Sequence, residues 1–247
     1  MHTRNRHLEI DLLRTIAVVM MVVYHAAFDL SFFYGLPFGA ISGGWLILQR
    51  STANLFLLLV GMSFAVSYGR MEAKGASRRN ILMKYARRGL FVFLCGMLVT
   101  AVTFFVVPEA YVRFGVLHMI GVSILLLPFL MPLREGNLIL AIAVYFLGRV
   151  TGTVPEGYGI FLPFGWMPAG FVSVDYFPLF PWMATILLGV AVGNALYNRG
   201  WLRWHVRDHR FWQIMTTPGR HALEIYLMHQ PILFGLLWVY FQYVKAS

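Results

Sequence analysis

The chain has 247 residues, 59% of them hydrophobic and 12% charged, about half the charged share of an ordinary soluble domain. No water-facing surface can be built from that balance, which excludes a soluble globular enzyme and leaves lipid as the solvent. The formal net charge of +10 falls in the gaps between apolar runs and not in an aromatic-basic stripe, so it reads as membrane orientation, and no nucleic-acid partner is expected.

Apolar segments follow one another at 12–34, 45–69, 89–107, 115–131, 137–151, 177–197 and 220–243. The first is too long for a signal-peptide core and lacks a small-residue cleavage site, so it is read as a retained helix. The fifth is short against the ~20 residues that cross a bilayer. Together they predict an all-α fold, a polytopic transmembrane helical bundle of about seven spanning helices in a single domain over 1–247. The single cysteine, Cys95, excludes an internal disulfide and a multi-cysteine metal site and is read as helix packing. The stretch 152–176 is rich in Gly, Pro and aromatics (Tyr158, Phe161, Phe164, Trp166, Phe171) and is expected to lie in the interface or fold back over the outer mouth.

Charge gives these helices a direction. Arg4, Arg6 and Arg14 lead the first; Arg70, Lys74, Arg78, Arg79, Lys84, Arg87 and Arg88 fill the second gap. Arg134 lies in the fourth gap, and Arg199, Arg203, Arg207, Arg210 and Arg220 in the sixth. Strict alternation over seven helices places these sixteen of the twenty lysines and arginines on one side, while Glu109, Glu156 and Asp175 stand near the other. The N-terminus is therefore expected in the cytoplasm and the C-terminus outside.

Ionisable groups at membrane depth are costly and mark function. The first helix carries Asp11, Arg14, His25 and Asp29. Arg14 and His25 share one helix face, separated by roughly 16 Å along the axis, with Asp29 one turn further. A histidine suits general-base work near neutral pH, and a neighbouring carboxylate can orient it. An arginine on the cytoplasmic side suits a phosphate, so the spacing fits a ligand with phosphates at one end and a reactive group on a long arm, such as an acyl-coenzyme A. The same residues also suit a structural His–Asp pair with a snorkelling Arg14.

Arg50 and Asn54, i and i+4 on the second helix, are placed at a depth similar to Asp29, predicting an Asp29–Arg50 contact or a shared cavity. His118 starts the fourth helix near the same mouth. Arg220 and Glu224 are spaced as an ion pair, and His229, Gln230 and Pro231 fall near mid-helix, where Pro231 frees a carbonyl one turn back. There is no GxxxxGK[ST] loop, GxGxxG turn, HExxH or GxSxG motif, no diagnostic metal spacing, and no internal repeat of the transporter kind.

The opening Arg6-His7-Leu8-Glu9-Ile10-Asp11-Leu12-Leu13-Arg14 followed by Val23-Tyr24-His25, the segment Asp175-Tyr176-Phe177-Pro178-Leu179-Phe180-Pro181-Trp182, and the stretch 219–231 resemble the heparan-α-glucosaminide N-acetyltransferase catalytic-domain family. The Arg-to-His spacing is similar to that of the wider transmembrane acyltransferases that decorate sugars and cell-wall polymers. Thr15 stands where the family commonly has Gly, Ala222 where it more often has Ser, and the loop 35–44 lacks the reactive histidine some members carry.

The resemblance implies transfer of an acetyl group from cytoplasmic acetyl-CoA, as co-substrate, to an extracytoplasmic sugar amine or hydroxyl. It implies His25 as catalytic base or transient acyl carrier, aided by Asp29, with Arg14, Asp11, Arg220 and His229 at the coenzyme. Arg50, Asn54, His118, Asp175 and Glu224 would line the substrate cavity. No metal is expected. A minimal member of this kind implies the cytoplasmic membrane of a prokaryote, with lipid as a partner and self-association left open. The competing readings are a small-solute or proton-coupled transporter using the same buried polar residues, and a scaffold in which those residues only lock helices.

Overall fold

A computed structural model describes residues 7–37, 39–154, 159–201 and 210–244. Arg4, Arg6, Glu156, Tyr158, Arg203 and Arg207 lie outside the described residues. The chain divides into two compact units, Met1–Phe56 with Trp204–Ser247, and Leu57–Arg203.

In the first unit, helix α1 spans Leu8–Phe32 and starts four residues before the apolar run. Its opening turn carries Glu9 and Asp11, which favour the positive end of the helix dipole. Its buried stripe is Ala17, Val18, Met21, Tyr24 and Ala27. Helix α2, Gly43–Ala73, begins in this unit and continues into the second. The C-terminal segment is not one helix from residue 220. It comprises α7 (Arg210–Met215), α8 (Thr217–Arg220) and α9 (Ala222–Val239), broken between α8 and α9 at His221, with φ −106° and ψ 27°. Pro218 in the first turn of α8 lacks an N–H that would have no partner there. Both α8 and α9 pack on α1. Beyond them, Phe33 meets Phe234 edge-on at 5.4 Å, and Tyr34 stacks on Phe241 at 4.0 Å.

In the second unit, α3 (Arg78–Val106) starts at Ser77, whose hydroxyl accepts the Asn80 N–H at 3.3 Å. It pairs with α4 (Val116–Leu130) through Gly89 and Gly121, where a Cβ on either would press on the other helix's backbone. Gly61 of α2 and Gly189 of α6 (Leu179–Gly193) make the same close approach. Without hydrophobic drive between helices in lipid, such small residues let backbones pack.

Six helices among the described residues are long and apolar enough to cross a membrane, close to the expected count of about seven. The predicted fourth and fifth segments fall in one apolar stretch, Val116–Leu147. That stretch is broken at Met131–Gly136, where Arg134 takes φ 49° and ψ −119°, before α5 (Asn137–Leu147) begins. The break reverses the chain. Glu135 binds Arg199 and Asn194 at the end of α6, while Gly148, just past α5, abuts Pro181 at its start. The fourth stretch is thus two antiparallel limbs, each shorter than a full span.

The 152–176 segment folds back on the unit. Strands β1 (Thr153–Val154) and β2 (Met167–Pro168) pair in parallel. Beyond them, the Val174 N–H donates to the Ala110 carbonyl at 2.8 Å, and Phe114 bridges Tyr176. The Tyr176 hydroxyl donates to the Leu162 carbonyl at 2.8 Å, and burial pushes its pKa up to about 12. Arg113 lies over the rings of Tyr111 and Phe171.

Candidate functional site

Two polar clusters form where α1 meets α8 and α9, both within the first unit. At the start of α1, Asp11 is buried (3% exposed) and draws two guanidiniums. Arg14 Nη1 donates to Oδ1 at 2.9 Å, and Arg220 Nε stands 3.8 Å from Oδ2. Arg220 Nη2 also donates to the Thr216 hydroxyl at 2.9 Å, and Nε is buried with no hydrogen-bond partner. The close approach depends on Gly219, where a Cβ would overlap the Asp11 carbonyl. Gly219 N–H donates to Thr15 Oγ1 at 2.9 Å, and that hydroxyl donates to the Asp11 carbonyl at 3.1 Å.

Three turns further along α1, His25 meets α9. Its ring contacts His229 edge-on, with centroids 4.7 Å apart and planes at 74°. His25 Nδ1 lies 2.9 Å from the Met21 carbonyl and His229 Nδ1 lies 2.7 Å from the Tyr226 carbonyl. A carbonyl only accepts, so each Nδ1 carries the proton and each imidazole presents Nε2 as its lone pair. One turn on, Asp29 is fully buried, and its Oδ1 accepts the Gln230 amide at 2.6 Å. Asp29 Oδ2, His229 Nε2 and Gln230 Oε1 are buried without partners.

The geometry corrects three expectations. Asp29 does not orient His25, because the Met21 carbonyl one turn back takes Nδ1. The Asp29–Arg50 contact is not made: Arg50 is exposed, and Gln230 supplies the hydrogen bond to Asp29. Arg220 and Glu224 do not pair, since the break at His221 takes them out of helical register. Arg220 turns to Asp11, while Glu224 is exposed, 4.0 Å from His221 Nδ1.

The remaining candidates have local partners. Asn54 Nδ2 donates to the Arg50 carbonyl at 2.8 Å. In the second unit, His118 is buried, accepts the Gly115 N–H at 3.2 Å, and sits 3.4 Å from the Thr100 hydroxyl between Phe93 and Phe114. Asp175 accepts the Val116 N–H at 3.1 Å at the start of α4. Burial pushes its carboxyl up to about 6, against the pull of that N–H. His229 joins His25 instead of the Arg14 cluster. No group of three or more His, Cys, Asp or Glu fit to hold a metal occurs among the described residues.

The family model for the catalytic domain of heparan-alpha-glucosaminide N-acetyltransferase matches residues 6–231. The chain belongs to this family. The match runs through both units and takes in every cluster described above, and it makes this an integral membrane protein of an acetyltransferase family. No curated protein matches the chain. Membership gives the His25 and Arg14 clusters a reaction to be weighed against. The hydrogen bond to Asp29 adds Gln230, which sequence reasoning left out of the site. An amide in the middle of an apolar helix was the available signal, since it needs a partner there.

Proposed function

We propose that this chain is a single functional acyltransferase domain. It moves an acetyl group from cytoplasmic acetyl-CoA to an extracytoplasmic sugar amine or hydroxyl, across the cytoplasmic membrane of a prokaryote, with its N-terminus inside. The observation that carries the reading is His25. Its Nδ1 is occupied by the Met21 carbonyl, so Nε2 is left as a base on the helix that also holds Arg14.

His25 takes the proton of the acceptor's O–H or N–H as the acceptor attacks the thioester carbon, and the C–S electron pair leaves on sulfur. In the alternative two-step route, Nε2 itself takes the acetyl group before the acceptor does. Coenzyme phosphate belongs at the Asp11–Arg14–Arg220 cluster, where the orphaned Arg220 Nε–H is a donor suited to an anion. Asp29 serves the site by holding Gln230. Arg50 and Asn54 are left for the acceptor side, Glu224 stands beside His221 at the coenzyme end, and His118 and Asp175 are left for support of α4.

Calorimetric titration of the purified protein with acetyl-CoA tests the donor. Saturable binding, weakened at least tenfold by Arg14→Gln, is the expected result. Solute flux in liposomes with no coenzyme binding would overturn it in favour of a transporter.

A further inference from the structure

We propose that His229 is a second catalytic imidazole, paired with His25 to carry one proton between acceptor and leaving group. The inference rests on the acetyl-transfer reading above. The two rings touch, with centroids 4.7 Å apart. Each Nδ1 donates to a carbonyl of its own helix, so both Nε2 atoms are left for chemistry. His229 Nε2 is buried with no partner, so its lone pair is not used in holding the fold. Two imidazolium rings in contact repel, so the pair holds one proton at a time. Asp29, one turn from His25 on α1, is fully buried with a neutral hydrogen-bond donor, Gln230.

Acyl transfer from a thioester needs one proton taken and one given. At the outset His25 is neutral and His229 is protonated at Nε2. The acceptor's O–H or N–H bond breaks toward His25 Nε2, and its electron pair forms the new bond to the thioester carbonyl carbon. In the same step the C–S bond breaks with its pair on sulfur and the sulfur takes the proton from His229 Nε2, so the pair never holds two. His25 has gained one proton and His229 has lost one. Transfer between the touching rings restores the starting state with no net change in charge.

The experiment varies the leaving group. Acetyl-CoA is compared with an acetyl thioester of an acidic arylthiol, which departs as a stable anion and needs no proton. The variant is His229→Asn, whose amide can still donate to the Tyr226 carbonyl, with His229→Gln as a second should the first melt early. Expected is a loss of about a hundredfold in kcat with acetyl-CoA, but activity within about threefold of the unsubstituted protein with the aryl thioester. His25→Ala loses both reactions. Equal losses of a His229 variant with both donors, or none with acetyl-CoA, would overturn the pair. An unsubstituted protein that transfers from neither donor would instead remove the acetyl-transfer reading itself.

Discussion

Gly219→Ala probes the contact that builds the coenzyme end of the site. The added Cβ would overlap the backbone carbonyl of Asp11, with Thr15 N at 2.9 Å and Arg14 Cβ at 3.0 Å. Two of these are backbone atoms, so no rotamer change relieves the clash. To regain a normal separation of roughly 3.5 Å, α8 must retreat from α1 by about 1.5 Å. That retreat breaks the 2.9 Å bond from Gly219 N–H to Thr15 Oγ1 and carries Arg220 away from Asp11, already 3.8 Å off. Overpacking costs about 1–3 kcal/mol and the lost hydrogen bond about 1 kcal/mol, so the total is about 2–4 kcal/mol. Thermal unfolding in detergent should show this as a lowered Tm, and calorimetry should show acetyl-CoA binding weakened about tenfold. Thr15→Val, which removes only the hydroxyl, should cost about 1–2 kcal/mol. A Gly219→Ala protein that melts and binds coenzyme like the unsubstituted one would refute the geometry.

Gln230→Leu leaves the buried Asp29 without its donor and should cost about 1–3 kcal/mol; in a double-mutant cycle with Asp29→Ala, the two losses should add to well over the double variant's cost. Asp175 binds its proton more tightly folded, at about 6, than unfolded, near 3.8. Its stabilising contribution is therefore full below pH ~4 and lost as pH rises through about 6, and Asp175→Asn should remove that fall when Tm is followed from pH 4 to 7. Arg134 holds φ 49° and ψ −119°, a region open to glycine. Arg134→Gly should accordingly raise stability by about 1 kcal/mol, read as an increase in Tm, and a decrease would show that the side chain matters more than the strain.

Hydropathy alone located the spanning helices because lipid rewards apolar length whatever the partners are. It missed the true starts of α1 and α3. Glu9 and Asp11 open α1, and Arg78 to Arg88 open α3, so charge hid helix that hydrogen bonding and capping still favour. The reversal at Arg134 was marked by Pro132 and Gly136, yet its consequence, two antiparallel limbs, depends on where α6 lies. The site divides the same way. Arg14, His25 and Asp29 share a face by period alone. The partners of Asp29 and Arg220 depend on how α8 and α9 dock, and spacing along one helix pointed to Arg50 and Glu224 instead. Thr15, a departure from the family's usual glycine, proves to be the residue that ties Gly219 to α1.

The central claim is acetyl transfer by way of His25. Purified protein in liposomes, given labelled acetyl-CoA and a sugar amine or hydroxyl acceptor, reads it directly. Label should appear on the acceptor with the unsubstituted protein and be lost with His25→Ala, while Tm stays within a few degrees. Undiminished transfer by His25→Ala would contradict the account.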